Sequence, residues 1–297
     1  MTDTAAALRS VSPEAGVAKP DPILVVDSLS RRFGGLRAVE VDHVEIQRGV
    51  ITALIGPNGA GKTTFFNLVT GFDEPDNGRW SFDGSPVQGQ PAHRIARRGM
   101  VRTFQLTKAL ARMSVIDNMK LGGVGQRGEN FFRALVPQLW RAQEVALEAR
   151  ADELLERFRL TRVRDEYAGA LSGGQRKLLE MARALMSEPT MVMLDEPMAG
   201  VNPALAETLL AHIQGLRDTG MTVVFVEHDM DAVNEISDWV VVMGQGRIIA
   251  EGAPQDVGKN PVVIDAYLGA HHDAPETLEE EQRRLSEVAG ASAEDTE

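Results

Sequence analysis

The chain has 297 residues, 43% hydrophobic and 25% charged, with a formal charge of −12 and no cysteine. That excludes disulfides and thiolate chemistry, and no apolar run approaches the roughly 18 residues of a membrane-crossing helix. Residues 273–297 hold nine acids against two bases, so the rest is only mildly acidic, which argues against broad binding of nucleic acid or anionic lipid.

In chain order, residues 1–22 are rich in Ala, Ser and Pro and are predicted to be disordered. MTDTAAALRS has an acidic third residue and no sustained apolar stretch, so a secretory leader is not expected. From Ile23, ILVVDSLSRRFGG and VDHVEIQRG alternate apolar and polar residues between glycine breaks, which predicts paired strands of a small antiparallel sheet. VITALI (50–55) reads as a buried strand, followed by a glycine loop and a helix over TTFFNLVTG ending at Gly71. RWSFDGSPV suggests a further hairpin strand.

Between about 106 and 165 the pattern turns helical, with VIDNMKLGG and EVALEARADELLERFRL. FFRALVPQLW sets Phe131, Phe132, Leu135, Val136, Leu139 and Trp140 on one stripe interrupted by Pro137, read as core packing with partner contact as the alternative. LSGGQ (171–175) then leads into the amphipathic run RKLLEMARAL. MVMLDEP and TVVFVEHD are buried strands separated by the helical ALAETLLAHIQGLRD, and WVVVMGQGRIIAEG is a hairpin. LEEEQRRLSEVA can form a short solvated helix, with Glu279–Arg283 and Glu280–Arg284 at i,i+4 spacing. The alternation predicts an α/β fold with a parallel sheet, an antiparallel β subdomain and an inserted α-helical subdomain. The domain is expected over 23–270, followed by an acidic tail over 271–297.

Gly56-Pro57-Asn58-Gly59-Ala60-Gly61-Lys62-Thr63 satisfies G-x-x-x-x-G-K-[ST] between a strand and a helix. Glycines let backbone N–H groups turn inward around phosphate oxygens. Lys62 supplies a point charge to the β- and γ-phosphates, the Thr63 hydroxyl can ligate Mg²⁺, and Thr64 follows in the loop's binding set. Asp195 and Glu196 stand at the tip of an apolar strand, where ligands meet an open α/β sheet. Asp195 suits the Mg²⁺ shell, and Glu196 can orient or deprotonate an attacking water. One strand later His228 occupies the equivalent place and can donate to a γ-phosphate. Phe33, in a glycine-rich turn, can stack on an adenine or simply pack. Gly173 and Gly174 place a second anion site at a helix N-terminus, although Gly56 to Thr63 already hold a phosphate.

Jointly, GPNGAGKT, the Gln105 segment, LSGGQ, MVMLDE, AGVNP and His228 resemble the ATP-binding cassette (ABC) ATPases, a P-loop NTPase fold, over about Ile23 to Gly269. The resemblance implies ATP and Mg²⁺ as cofactors. It implies Glu196 as catalytic carboxylate, Gln105 as the Q-loop glutamine that also meets the metal, His228 as switch histidine and Phe33 as the adenine-stacking residue. It also implies that Ser172, Gly173, Gly174 and Gln175 close on nucleotide held by a second cassette, identical or related. AGVNP falls in the dimer-contacting D-loop, where many members carry Asp in place of Asn202.

RRFGGLRAV, RTFQ with MSVIDNMKLG, and the ending NPVVIDAYLG are similar to the branched-chain amino-acid importer ATPases. A transport ATPase of that kind implies transmembrane permease subunits, an extracellular or periplasmic solute-binding protein acting indirectly, and a peripheral place on the cytoplasmic membrane face. The alternatives are an importer for urea or another small solute, a lipid-type exporter, and a soluble ABC ATPase acting on nucleic acid or ribosomes. The last fits poorly with an acidic body and a single cassette.

Overall fold

The computed structural model describes residues 7–8, 10–103, 109–124 and 141–272, with side chains described through residue 268. The stripe at 131–140 and the helix expected within 278–289 lie outside the described residues. The strands, in chain order, are β1 (Pro22–Phe33), β2 (Leu36–Gln47), β3 (Ile51–Ile55), β4 (Asn77–Phe82), β5 (Ser85–Pro86), β6 (Met100–Arg102), β7 (Met191–Asp195), β8 (Thr222–Val226), β9 (Trp239–Gly244) and β10 (Arg247–Gly252). Among the described residues they form a four-stranded sheet ordered β2-β1-β4-β5 and a six-stranded sheet ordered β10-β9-β3-β8-β7-β6. The first is antiparallel. In the second, β6 to β9 and β3 run parallel, and β10 returns antiparallel on β9.

All residues of β3, β7 and β8 are buried, as expected for parallel strands covered on both faces. Their side chains alternate between two cores. Ile51, Ala53, Ile55, Val192, Leu194, Val223 and Phe225 face helices, while Leu54, Met191, Met193, Val224 and Val226 face the antiparallel sheet and α1 (Lys62–Val69). The helices on the first side include α3 (Val115–Lys120), α4 (Arg141–Arg157), α5 (Gly173–Leu185) and α6 (Pro203–Asp218). Leu154, Leu155 and Phe158 join α4 and its end to this core, so the inserted helices rest on the sheet's helical layer. Short helices α2 (Ala92–Arg97), α7 (Met230–Ile236) and α8 (Pro254–Val257), with α9 (Pro261–His272) and 3-10 turns at Thr161–Val163 and Ala168–Ala170, are the other elements among the described residues.

Disorder over residues 1–22 does not hold throughout. Lys19 and Glu251 form an ion pair of 2.7 Å with both side chains fully buried. Glu251 also accepts from the backbone N–H groups of Gly16 and Val17 and from Trp239 Nε1. A buried carboxylate must find donors, and the N-terminal segment supplies most of them. Composition describes that segment's polarity but not the partner waiting on β10.

Candidate functional site

The carboxyl ends of β3, β8 and β7, neighbours in the sheet, lead into Gly56, Glu227-His228 and Asp195-Glu196. Parallel pairing aligns them, with Leu54 opposite Val226 and Asp195 opposite Val226. Three segments far apart in sequence thus open on one edge.

The phosphate loop wraps from β3 into α1 and is seated on its neighbours. Gly56 has φ 148°, and a Cβ there would lie 2.1 Å from Met243 O; Gly61 has φ 98°, and a Cβ would lie 2.4 Å from Ala38 O. Neither position accepts a side chain without moving backbone. Ala60 O accepts from Gly246 N at 2.9 Å, tying the loop to the β9–β10 turn. Lys62 Nζ donates to Gly56 O (2.7 Å) and Pro57 O (3.0 Å). Burial lowers its pKa, opposed by the charges of Glu196 and Asp195. Thr63 is exposed and Thr64 half-buried at the start of α1; Asn58 and Gly59 are exposed on the loop, and Ala60 is buried beneath it.

Asp195 is buried, and its Oδ2 pairs with Arg102 NH2 at 2.7 Å. Arg102 NH1 donates to Asn67 Oδ1 on α1 at 2.5 Å, and the guanidinium lies 5.5 Å from the Phe66 ring centroid. Asp195 Oδ1 is buried and has no hydrogen-bond partner. The orphaned oxygen of Asp195 and the exposed Thr63 at the start of α1 are hard-oxygen donors of the kind Mg²⁺ takes. Among the described residues no group of three or more His, Asp or Glu is arranged to hold a metal alone.

Glu196 has φ 49°, a left-handed conformation rare for a side chain of this size. Such a conformation costs on the order of 1 kcal/mol and is held here by neighbours. Glu196 N donates to Val226 O at 3.1 Å, and its Oε1 lies 2.9 Å from His228 Nε2. The carboxylate and the imidazole therefore face each other across the strand ends, with His228 the more exposed.

LSGGQ forms the start of α5. Ser172 is the N-cap: its Oγ accepts from Gln175 N at 3.2 Å, and Gln175 Oε1 accepts from Ser172 N at 2.9 Å, a capping box. The side chains of Ser172 and Gln175 are thus engaged in capping the N-terminus of α5. A Cβ on Gly174 would meet Leu205 Cδ2 of α6 at 2.3 Å, whereas one on Gly173 would meet nothing within 4 Å. A side chain on Gly174 would have to displace the flexible tip of Leu205, whereas Gly173 is open to whatever approaches from outside. Phe33 ends β1 at 48% exposure, with the Arg31 guanidinium 4.9 Å from its ring centroid. Gln105 lies outside the described residues. Asn202 caps α6, its Oδ1 accepting from Leu205 N at 2.9 Å ahead of Pro203. Asn and Asp serve that place equally, so its difference from the common Asp leaves the helix start intact.

Three side chains at the site carry no role in the motif reading. Arg102 pairs with Asp195. Lys177 and Glu227 bind the backbone of residues 196–199. A basic residue before the Gln105 segment and an acid next to His228 were the available signals, and neither names its partner.

Residues 39–199 match the profile of the ABC transporter family, and residues 247–273 match that of the branched-chain amino acid ATP-binding cassette transporters. The chain is 43% identical over 251 residues to a Pseudomonas aeruginosa protein, the high-affinity branched-chain amino acid transport ATP-binding protein BraF, covering 84% of this chain and 98% of that relative. It is 41% identical over 248 residues to a probable branched-chain amino acid transport ATP-binding protein, LivG, of Archaeoglobus fulgidus, covering 84% and 96%. Among solved structures, an ATP-binding cassette of an ABC transporter in its ADP conformation superposes with TM-score 0.72 at 35% identity, over 84% of this chain and 99% of that one. A nucleotide-free cassette gives TM-score 0.72 at 35% identity, over 82% and 98%. With its phosphate loop, strand-end carboxylates and matched C-terminal segment, the chain belongs to the ABC transporter family, as a cassette ATPase of the branched-chain amino acid group.

Proposed function

We propose that this chain is the ATP-hydrolysing subunit of an importer for branched-chain amino acids, with cassette closure on ATP driving the membrane partner. The observation that carries the reading is the meeting of Lys62, Asp195, Glu196 and His228 at adjacent strand ends, in a chain whose relatives are branched-chain amino acid transport ATP-binding proteins. Gly56 to Thr64 bind the phosphates, Lys62 exchanging its carbonyl contacts for phosphate oxygens. Thr63, Gln105 and Asp195 hold Mg²⁺, which when bound neutralises phosphate charge and orients the γ-phosphoryl group. Glu196 orients the attacking water and accepts its proton, and His228, which meets Glu196 through Nε2 here, turns that donor to the γ-phosphate when nucleotide is bound. Phe33 stacks on adenine. Ser172 to Gln175 complete the site of a second cassette, with Gly173 exposed on the surface for that contact.

Among the described residues no helix is long and apolar enough to cross a membrane, so the reading requires permease subunits and a place on their cytoplasmic face. A solute-binding protein delivers the amino acid to those subunits. The test is uptake in cells carrying Glu196→Gln in the native gene. Loss of labelled leucine, isoleucine and valine uptake supports the reading. Intact branched-chain uptake with lost urea uptake would move the substrate, and no uptake phenotype would favour a non-transport ATPase.

A further inference from the structure

Between Glu196 and the AGVNP segment the backbone is gripped from two sides. From α5, Lys177 Nζ donates to Pro197 O (2.9 Å) and Ala199 O (2.5 Å) and lies 3.5 Å from Glu196 O. From the end of β8, Glu227 Oε1 accepts from Met198 N at 2.9 Å, and its Oε2 accepts from His228 N at 3.2 Å. Glu227 is buried at 5% exposure. Two charged side chains from different elements therefore direct their bonds onto main-chain groups of one short segment. Burying Glu227 is unfavourable unless its bonds are made, and the half-buried Lys177 directs its charge-assisted bonds to the same segment, so both side chains are held to it.

The segment joins the parts that must move together. Glu196 begins it in a left-handed conformation, and Asn202 ends it as the cap of α6. Lys177 lies on the helix that Ser172 caps, and Glu227 directly precedes His228. A displacement of α5 carries Lys177, hence the carbonyls of residues 196, 197 and 199. The Met198 amide then pulls on Glu227, whose other oxygen holds the His228 amide. The chain of contacts is continuous from the LSGGQ helix to the carboxylate–imidazole pair.

We propose that Lys177 and Glu227 are positioning residues that clamp residues 196–199 and couple the LSGGQ helix to Glu196 and His228. The proposal rests on the ATPase reading for its functional meaning, and the clamp itself is testable without turnover. The test compares Lys177→Met, Glu227→Gln and the double variant in the full-length chain, each checked for a native melting transition. In nucleotide-free protein, Lys177→Met speeds amide exchange at Met198 and His228 by about fivefold or more, although Lys177 bonds neither amide. Exchange unchanged at those two amides overturns the coupling. In ATP turnover with the cognate second cassette, each single variant lowers kcat about tenfold with KM for ATP within about twofold, and the double variant is no worse than about tenfold. Losses that multiply to about a hundredfold, or a single variant with unchanged kcat, overturn it equally. A wild-type chain without turnover would defeat the ATPase reading, and the exchange result would still decide the clamp.

Discussion

Arg102 and Asp195 form an ion pair of 2.7 Å in which each side chain is only 3% exposed. The pair joins β6 to β7 across the edge of the parallel sheet, and Asn67 anchors the same guanidinium to the phosphate-loop helix. Desolvating both charges offsets much of their attraction, but removing one partner strands the other in a buried site, at about 3–5 kcal/mol. Arg102→Met should therefore lower the unfolding free energy by about that amount in urea titrations. ATP with Mg²⁺ should restore more stability to the variant than to the wild type, because a bound cation again compensates Asp195. ATP with a chelator should not. Equal stabilisation of both proteins under the two conditions would show that Asp195 does not meet the metal.

Glu196 is aimed by its backbone as well as by His228. Glu196→Gln keeps the shape, the left-handed φ and a polar contact for the imidazole, and removes the ability to accept a proton. ATP turnover should fall about a hundredfold or more while ATP affinity changes by less than about twofold. Single-turnover hydrolysis and fluorescent-nucleotide binding measure the two quantities separately. Wild-type turnover in the variant would reassign the base.

Gly173 offers a clean probe of the second half-site. A side chain there meets nothing within the chain, whereas altering Ser172 also removes the cap of α5. Gly173→Arg should fold with undiminished stability, since glycine is a weak helix former. The isolated chain should retain its ATP affinity, and ATP-driven association with a second cassette should be lost. Light scattering with and without ATP reads the association. If nucleotide affinity of the isolated chain collapsed instead, the LSGGQ turn would belong to the chain's own site.

What could be read from the sequence was local in the chain. The phosphate loop, Asp195-Glu196 and His228 each follow an apolar strand, so a short window contains both the residue and its placement. Arg102 meets Asp195 across 93 residues, Lys177 reaches Ala199 across 22, and Lys19 meets Glu251 across 232. Nothing in those windows announces the partner. Polar composition near the N-terminus accordingly suggests disorder, while burial against Glu251 and Trp239 orders Lys19. The hairpin β1–β2 and the strands β7 and β8 were legible through period-2 alternation and unbroken apolar runs. The three-residue β6 is too short to show any period.

Glu227 ties function to a loss of stability. Burial raises its carboxyl pKa above the ordinary 4.5, partly opposed by the Met198 and His228 amides. The native state therefore holds this proton more tightly than the unfolded chain does. As pH climbs from 4.5 through the raised native value, the unfolded chain has already released the proton, so this group's contribution to stability falls. Glu227→Gln removes the ionisation. The stability of the variant relative to wild type should be smallest at about pH 4 and rise toward neutrality, read from urea midpoints across that range. A difference that does not change with pH would mean that Glu227 ionises equally well folded and unfolded. The same variant should be slower in turnover, and greater relative stability with weaker activity is the signature of a buried charge retained for the geometry it imposes on Met198 and His228.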